Sequence, residues 1–112
     1  MATRIFMLIS VLFIGLQTIA QETALVKENF KVWGNCDMCK SKIEKAAKNI
    51  DGVNSARWNV SSKKMSVKFD SDKTNLDEIQ NAIVLVGYDI ENQKASDEAY
   101  NNLHNCCKYD RE

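Results

Sequence analysis

Proline is absent from this chain of 112 residues, and glycine and histidine are scarce, with four and one respectively. Without proline, no helix or strand is interrupted by a residue that lacks a backbone N–H and fixes φ. The chain also lacks an excess of either charge, since Lys and Arg total 15 and so do Asp and Glu. Binding to nucleic acid or to a membrane surface depends on a marked basic excess, so the composition supports neither function.

A long hydrophobic run is lacking as well. The apolar stretch from Ile5 to Leu16 has 12 residues, whereas a membrane-spanning helix needs about 20. It follows Arg4 and precedes the small residues that end at Ala20, which is the layout of a secretory signal peptide. We therefore predict a signal peptide at 1–20, cleaved after Ala20, and a periplasmic or secreted mature protein with no membrane span. A retained membrane anchor is the alternative.

Cleavage leaves 92 residues, with 14 basic side chains against 15 acidic ones, which is enough for one small domain. All four cysteines lie in this mature part: Cys36, Cys39, Cys106 and Cys107. Outside the cytosol an even number of cysteines usually indicates disulfides. One Cys-x-x-Cys pair and one adjacent pair, however, form a poor framework for joining distant loops.

Hydrophobic periodicity predicts two similar halves after a flexible lead-in at 21–27. The helices are expected at about 38–49 and 76–86, and the strands at 28–33, 53–60, 65–69 and 88–90. The order strand–helix–strand occurs twice, which predicts an α+β, ferredoxin-like split βαβ sandwich. Its two helices would cover one face of a four-stranded antiparallel sheet. This domain would span 28–92 and be followed by a tail at 93–112, in which Ser96 caps a short helix at 97–103.

The Cys-x-x-Cys pair, Cys36 and Cys39, lies where the first strand gives way to the first helix. Two thiolates on such a loop can converge on one soft metal ion, helped by the positive end of the helix dipole. Thiolates select copper(I), zinc or mercury over magnesium or calcium. Two of them suffice for copper(I) or mercury(II), whereas zinc normally takes four ligands. The pair therefore favours copper(I), with mercury(II) or zinc behind it.

The second cysteine pair, Cys106 and Cys107, stands two residues after His104 in the tail. Adjacent cysteines do not readily bridge each other, because a disulfide favours a longer Cα separation than neighbouring residues have. Three interpretations remain: additional metal ligands, a disulfide to Cys36 or Cys39, or free thiols. If the tail folds over the first pair, three or four ligands become available and zinc becomes a stronger candidate, although copper(I) still ranks first.

The same Cys-x-x-Cys pair also occurs in small thiol–disulfide exchange enzymes. Enzymes of the thioredoxin type usually have a longer βαβ scaffold and a cis-proline beside the active site, and this chain has no proline. Nothing in the sequence indicates a general base or a substrate pocket. We therefore predict no catalytic residue and a protein that is not an enzyme. Two further hypotheses stay open: the pair forms an inert structural disulfide, or the protein sequesters metal without delivering it.

Cys36-x-x-Cys39 at the start of a helix, with Gly87-Tyr88 at the end of the second helix, resembles the heavy-metal-associated domain family. The resemblance covers about 28–92. The family includes copper chaperones, amino-terminal modules of copper-pumping ATPases and periplasmic mercury-binding proteins. The resemblance implies the same fold and metal binding by both cysteines. We interpret Tyr88 as a partly buried aromatic residue at the end of the sheet, with shielding of the metal from water as its alternative role. The resemblance also implies that a metal-transporting ATPase or another thiol-bearing acceptor receives the ion.

The chain departs from the family pattern just before the first cysteine. The family usually has Gly-Met-x-Cys, but this chain has Trp33 and Gly34 in place of the glycine and the methionine. Met38 lies between the two cysteines instead, where it either packs inward or faces solvent. Because packing under the loop sets the separation of the ligands, this departure bears on which metal is preferred.

Overall fold

The computed structural model of the protein describes residues 24–111. Its elements are the strands β1 (Leu25–Lys31), β2 (Val53–Trp58) and β3 (Lys64–Asp70), the helices α1 (Asp37–Lys48), α2 (Leu76–Leu85) and α3 (Asp97–Asn101), and a 3-10 turn, Asn105–Cys107. The predicted signal peptide lies outside the described residues. β1 begins at Leu25, so three residues of the predicted lead-in at 21–27 belong to the strand. None of the helices in the described range has the length and apolar character needed to cross a membrane.

The sheet has β3 at its centre, paired antiparallel with β1 on one side and β2 on the other. Along β3 the side chains alternate between buried and more exposed, as expected for a sheet with one covered face. Met65, Val67 and Phe69 are its buried residues. These three side chains therefore form the part of the core that β3 contributes.

Both main helices pack on that covered face. Cys39, Ile43 and Ala47 recur every fourth residue along α1 and are fully buried, as predicted for an amphipathic helix. The α2 helix begins after Asn75, whose side chain accepts a hydrogen bond from the Glu78 backbone N–H at 2.9 Å. The buried sides of both helices and of the sheet form one hydrophobic core. The predicted arrangement of two helices on one face of an antiparallel sheet is confirmed.

The predicted fourth strand, and with it the four-stranded sheet, is wrong. The segment 88–90 meets the sheet in an isolated antiparallel bridge between Ile90 and Val32, so the sheet has three strands within the described range. Two backbone hydrogen bonds flank this bridge, from the Trp33 N–H to the Asp89 carbonyl at 2.9 Å and from the Glu91 N–H to the Lys31 carbonyl at 3.2 Å. The ladder cannot extend because the chain reverses at once, with the Ile90 N–H donating to the carbonyl of Gln93 at 2.8 Å. The neighbouring N–H of Asp89 donates instead to the Tyr109 hydroxyl.

The tail, residues 93–111 as described, packs back on the domain. Ser96 caps α3 as predicted, its hydroxyl accepting from the Ala99 N–H at 3.1 Å, although α3 is two residues shorter than expected. The contact is close at Gly87, where φ is +109° and a Cβ atom would stand 2.7 Å from the carbonyl oxygen of Ala99. Only glycine fits both the left-handed conformation and the approach of α3. The tail therefore shares the core of the domain.

Candidate metal centre

The metal loop, residues 33–36, connects β1 to α1. Cys36 is the N-cap residue of α1 and Cys39 lies in its first turn. The Lys40 N–H donates to the Cys36 carbonyl at 3.0 Å, which starts the helix. Both predicted ligands therefore lie at the end of α1 where unpaired N–H groups and the helix dipole favour negative charge.

Trp58 forms the floor of this loop. A Cβ atom on Gly34 would lie 2.9 Å from the indole ring and 3.2 Å from Ile43, so only glycine lets the loop rest on the tryptophan. The indole is 1% exposed, and its N–H donates to the carbonyls of Val32 at 3.0 Å and Lys63 at 3.2 Å. Sequence reasoning did not single out Trp58 as part of the site. The signal that could have indicated a large ring under the loop is Gly34, which stands where the family usually has methionine.

The tail turn, Asn105–Cys107, lies across the metal loop. The Sγ atoms of Cys36, Cys106 and Cys107 all lie within 4.8 Å of one another, and we call these three residues the sulfur cluster. The Sγ atoms of Cys106 and Cys107 are 4.0 Å apart. The loop and the turn also share hydrogen bonds, because the Cys106 carbonyl accepts from Cys36 Sγ at 3.7 Å and from the Asn35 amide at 3.4 Å. All four cysteines are free thiols.

Cys39 is fully buried and does not belong to the sulfur cluster. Burial opposes ionisation of its thiol, but hydrogen bonds to the backbone of Asn35 and Cys36 outweigh this effect and lower the pKa of Cys39. The side chains of Cys107 and Tyr88 act in the same direction. The two predicted ligands therefore differ: Cys36 is half-buried at the surface of the loop, and Cys39 is an enclosed thiol poised to ionise.

Cys107 connects the tail to this enclosed thiol. Its side chain is fully buried and neighbours Cys39 as well as Cys36. Burial, together with the nearby Cys39, raises the pKa of Cys107 to about 12, so its thiol is protonated in the metal-free protein. Of the two tail thiols, Cys107 is the one that faces both members of the Cys-x-x-Cys pair.

Tyr88 places a hydroxyl group beside the same thiols. Its ring is fully buried, and within the described part of the chain its hydroxyl has no hydrogen-bond partner at ordinary geometry. Burial and the proximity of Cys39 and Cys107 raise the pKa of Tyr88, so the phenol keeps its proton. A thiolate is the acceptor that this orphaned donor lacks, and such an acceptor forms when the cysteines ionise to hold a metal ion.

Two further residues singled out from the sequence lie at the edge of the site. His104 is exposed, and the groups of close potential ligands found in the described range do not include it. Met38 faces outward and is 46% exposed, with its Sδ 3.6 Å from the Sγ of Cys106. The structure therefore brings the two tail cysteines, but not His104, to the metal loop.

Tyr109 fixes the tail behind the sulfur cluster. Its hydroxyl accepts from the Asp89 N–H at 2.8 Å and donates to the Gly87 carbonyl at 2.8 Å. The Tyr100 hydroxyl donates to the Tyr109 carbonyl at 2.6 Å, and the two rings meet edge to face. Sequence reasoning did not single out Tyr109, because nothing local to it predicts that it reaches back to 87–89.

Arg111 adds an ion pair. Its Nη2 and Nε lie 2.9 and 3.0 Å from the two carboxylate oxygens of Asp89, and Nη2 also donates to the Ala95 carbonyl. Asp97 accepts from Nη1 at 3.0 Å. Burial of Asp89 favours its neutral form, but the hydrogen bonds from Arg111 and the Ala95 N–H, together with the charge of Arg111, outweigh burial and lower the pKa of this carboxyl. The end of the tail is thus held by bidentate, charge-assisted hydrogen bonds.

Known proteins match the part of the chain that carries the metal loop. The heavy-metal-associated domain family matches residues 35–89. Copper chaperone CopZ of Staphylococcus aureus strain MRSA252 is 41% identical over 56 residues, which are 50% of this chain and 82% of that protein. The matched region of the family ends at residue 89, so the tail lies beyond it.

Solved structures agree with this match. A CopZ metallochaperone is 39% identical with a TM-score of 0.57, and the match covers 58% of this chain and 98% of that chain. The N-terminal domain of a potential copper-translocating P-type ATPase from Bacillus subtilis, in the Cu(I)-loaded state, is 26% identical with a TM-score of 0.55. That match covers 57% of this chain and 81% of the ATPase domain.

Proposed function

Because this chain belongs to the heavy-metal-associated domain family, we propose that it binds a soft metal ion through Cys36 and Cys39 and passes it to a thiol-bearing acceptor. The observation that carries the proposal is the pairing of a half-buried thiol with an enclosed thiol of lowered pKa at the N-terminal end of α1.

Copper(I) is the ion that this pair suits best. The donors are sulfur atoms alone, and two thiolates satisfy copper(I), which accepts low coordination numbers. The similar proteins named as copper chaperones point to the same ion. Zinc is the second candidate because three cysteines form the sulfur cluster and Cys39, which interacts with Cys107, could complete the four thiolates of a common zinc ligand set. Mercury(II) is the third, since it shares the preference of copper(I) for two thiolates.

Transfer would proceed by exchange of ligands. A thiolate of the acceptor would bind the ion as the thiolate of Cys36, the more accessible of the pair, leaves. Cys39 would leave last, because it is enclosed by the core. A soluble domain of a metal-transporting ATPase is the acceptor class we propose, since a domain of this kind is similar in fold to the chain.

The test is anaerobic titration of the reduced protein with copper(I), in competition with a chromophoric copper(I) chelator. We expect one ion per chain held tightly, and loss of this binding in the double variant Cys36→Ser, Cys39→Ser. The matched control is Met38→Leu, which lies between the two cysteines and should retain binding. Reduced wild-type protein that takes up no copper(I) would refute the carrier function.

Thiol–disulfide exchange is the second candidate function, and the closeness of several thiols favours it. The Sγ atoms of the sulfur cluster lie within 4.8 Å, so a disulfide there needs only small movements. The lowered pKa belongs to Cys39, however, and an attacking thiolate must be accessible. Rapid reduction of insulin by protein that binds no metal would establish the enzyme in place of the carrier.

We further propose that the protein works outside the cytoplasm, after cleavage of the signal peptide predicted at 1–20. This proposal depends on the sequence alone, through Arg4, the apolar run and the small residues before Ala20. Sequencing the N-terminus of the protein after expression in a host with a secretory pathway would test it. We expect the mature chain to begin at Gln21, and a retained Met1 would contradict the proposal.

A further inference from the structure

A carrier that binds its ion through two cysteines does not need a third thiol at the position of Cys107. This residue lies beyond the region matched by the family, yet its thiol is fully buried next to Cys36 and Cys39. A buried thiol could be accommodated anywhere in an apolar core. Here it belongs to a tail turn that lies across the metal loop, so the loop is enclosed between α1 and the tail.

The spacing of the sulfur atoms suits a shared ion. Metal–sulfur bonds of about 2.3 Å place neighbouring ligand sulfurs about 4 Å apart. The Sγ atoms of Cys36 and Cys107 lie within 4.8 Å of each other, and the thiol of Cys107 interacts directly with that of Cys39. Small side-chain rotations would therefore bring Cys107 into the coordination sphere of an ion held by the loop.

Contacts away from the sulfur atoms hold the tail in this position. Tyr109 follows Cys107 by two residues and places its hydroxyl between the Gly87 carbonyl and the Asp89 N–H, each at 2.8 Å. Arg111 pairs with Asp89 through two further hydrogen bonds. Because these bonds do not involve the site, Cys107 is held ready before any ion arrives, which lowers the entropic cost of using it as a ligand.

We propose that Cys107 is the third thiolate ligand of the ion held by Cys36 and Cys39, so that the tail is a lid that retains the ion. The inference rests on the proposed function and deepens it. An acceptor normally begins transfer by adding its own thiolate to a two-coordinate ion. Here an internal thiolate already occupies the third position, so transfer requires the lid to move or Cys107 to be displaced.

X-ray absorption spectroscopy of the copper(I)-loaded full chain tests the ligand count. We expect three sulfur neighbours per copper in the wild-type protein and two in Cys107→Ser, with copper(I) affinity lowered at least about tenfold, since changes beyond the direct ligands already cost this much. His104→Ala is the matched control, because this exposed residue of the same tail lies outside the sulfur cluster, and its variant should keep three sulfurs. Two sulfurs in the wild-type protein, or equal losses in both variants, would overturn the proposal. Loss of one sulfur in Cys106→Ser but not in Cys107→Ser would assign the third position to Cys106 instead and would also overturn it.

A second variant leaves every cysteine in place. Tyr109→Phe removes the hydroxyl that connects the tail to Gly87 and Asp89, so it should loosen the lid without changing the ligands. We expect a chelator to extract copper(I) several times faster from this variant than from the wild-type protein. Unchanged extraction would overturn the lid. The circular dichroism spectrum of each variant shows whether it has folded.

Failure of this inference can be distinguished from failure of the proposed function. A wild-type protein that binds one copper(I) through two sulfurs refutes the lid and leaves the carrier intact. A wild-type protein that binds no copper(I) refutes the carrier, and the lid falls with it.

Discussion

The domain and the end of the tail are held by different kinds of contact. In the domain, apolar side chains such as Ile43, Val67 and Ile83 join the helices to the sheet. At the end of the tail, Tyr109 and Arg111 make hydrogen bonds and an ion pair. Apolar burial is insensitive to pH and has no directional requirement. Charge-assisted hydrogen bonds require geometry and a protonation state. The end of the tail should therefore respond to pH and to polar substitutions more than the domain does, although Leu103 and Cys107 pack in the shared core.

The largest loss of stability in the domain is expected from removing the floor of the metal loop. Trp58→Ala deletes a buried indole and its hydrogen bonds to Val32 and Lys63, and we expect a loss of about 3–5 kcal/mol in the free energy of unfolding. Chemical denaturation measures it. Trp33→Ala is the control, because Trp33 is only partly buried and should cost much less. Equal losses would contradict the role assigned to Trp58.

The second prediction concerns the tail alone. Arg111→Met removes the partner of Asp89, which is largely buried, and should destabilise the closed tail by about 2–3 kcal/mol, the cost of lost hydrogen bonds to a charged group. Limited proteolysis or hydrogen exchange should show the tail opening while β3 and α1 stay protected. Lys108→Met, which removes a positive charge from the same segment, is the control. Simultaneous loss of protection in domain and tail would show that they unfold as one unit.

The same ion pair makes the closure of the tail depend on pH. The pKa of Asp89 is lowered from its ordinary value of 3.8 in the folded protein, so its stabilising effect is fully present above that value. The effect is lost as the pH falls through the lowered pKa. Hydrogen exchange in the tail should therefore rise in acid before exchange in the domain does. This extra acid sensitivity should be absent in Asp89→Asn, which lacks the titrating group.

The sequence predicted the domain better than the tail for a physical reason. The three strands and two helices could be predicted from local patterns. Apolar and polar residues alternate along β3, and apolar residues recur every fourth position along α1, and both patterns indicate burial of one face. The fourth strand failed because pairing at 88–90 is limited by the reversal at Gln93 and by competition from Tyr109, a residue about 20 positions away. The local sequence pattern gives no sign that a hydroxyl group so far along the chain accepts the hydrogen bond of this segment.

For the candidate site as well, the sequence predicted the residues better than it predicted their arrangement in space. Cys36 and Cys39 were identified from their spacing, and Cys106 and Cys107 from their adjacency, but whether the second pair meets the first depends on contacts at Tyr109 and Arg111. His104 gained interest only from its neighbours in the sequence, and its side chain is exposed, away from the cluster. Sequence proximity on a 3-10 turn does not place side chains on the same side.

A smaller effect is expected at the loop. Gly34→Ala places a Cβ atom 2.9 Å from the indole of Trp58, so either the loop or the ring must shift, and we expect a cost of about 1–2 kcal/mol. Because the loop holds Cys36, copper(I) affinity should fall together with stability. Thermal unfolding and chelator competition measure the two effects. Gly34→Ala should cost less in a Trp58→Phe background, where the ring is smaller, and an equal cost in both backgrounds would show that the clash is elsewhere.

The smallest effect on stability is expected for Tyr88→Phe, which should act in opposite directions on the metal-free and the copper-loaded protein. Tyr88→Phe removes a buried hydroxyl that lacks a partner in the metal-free protein, so we expect the free energy of unfolding to rise by about 1 kcal/mol. In the copper-loaded protein the same hydroxyl would donate to a thiolate, so the variant should release copper(I) faster. Unfolding of both forms and the rate of extraction by a chelator test this pairing of effects. Tyr100→Phe is the contrasting variant, because its hydroxyl is hydrogen-bonded to the Tyr109 carbonyl and its loss should lower the free energy of unfolding instead. A Tyr88→Phe variant that is less stable without metal would show that the Tyr88 hydroxyl is already satisfied before the ion binds.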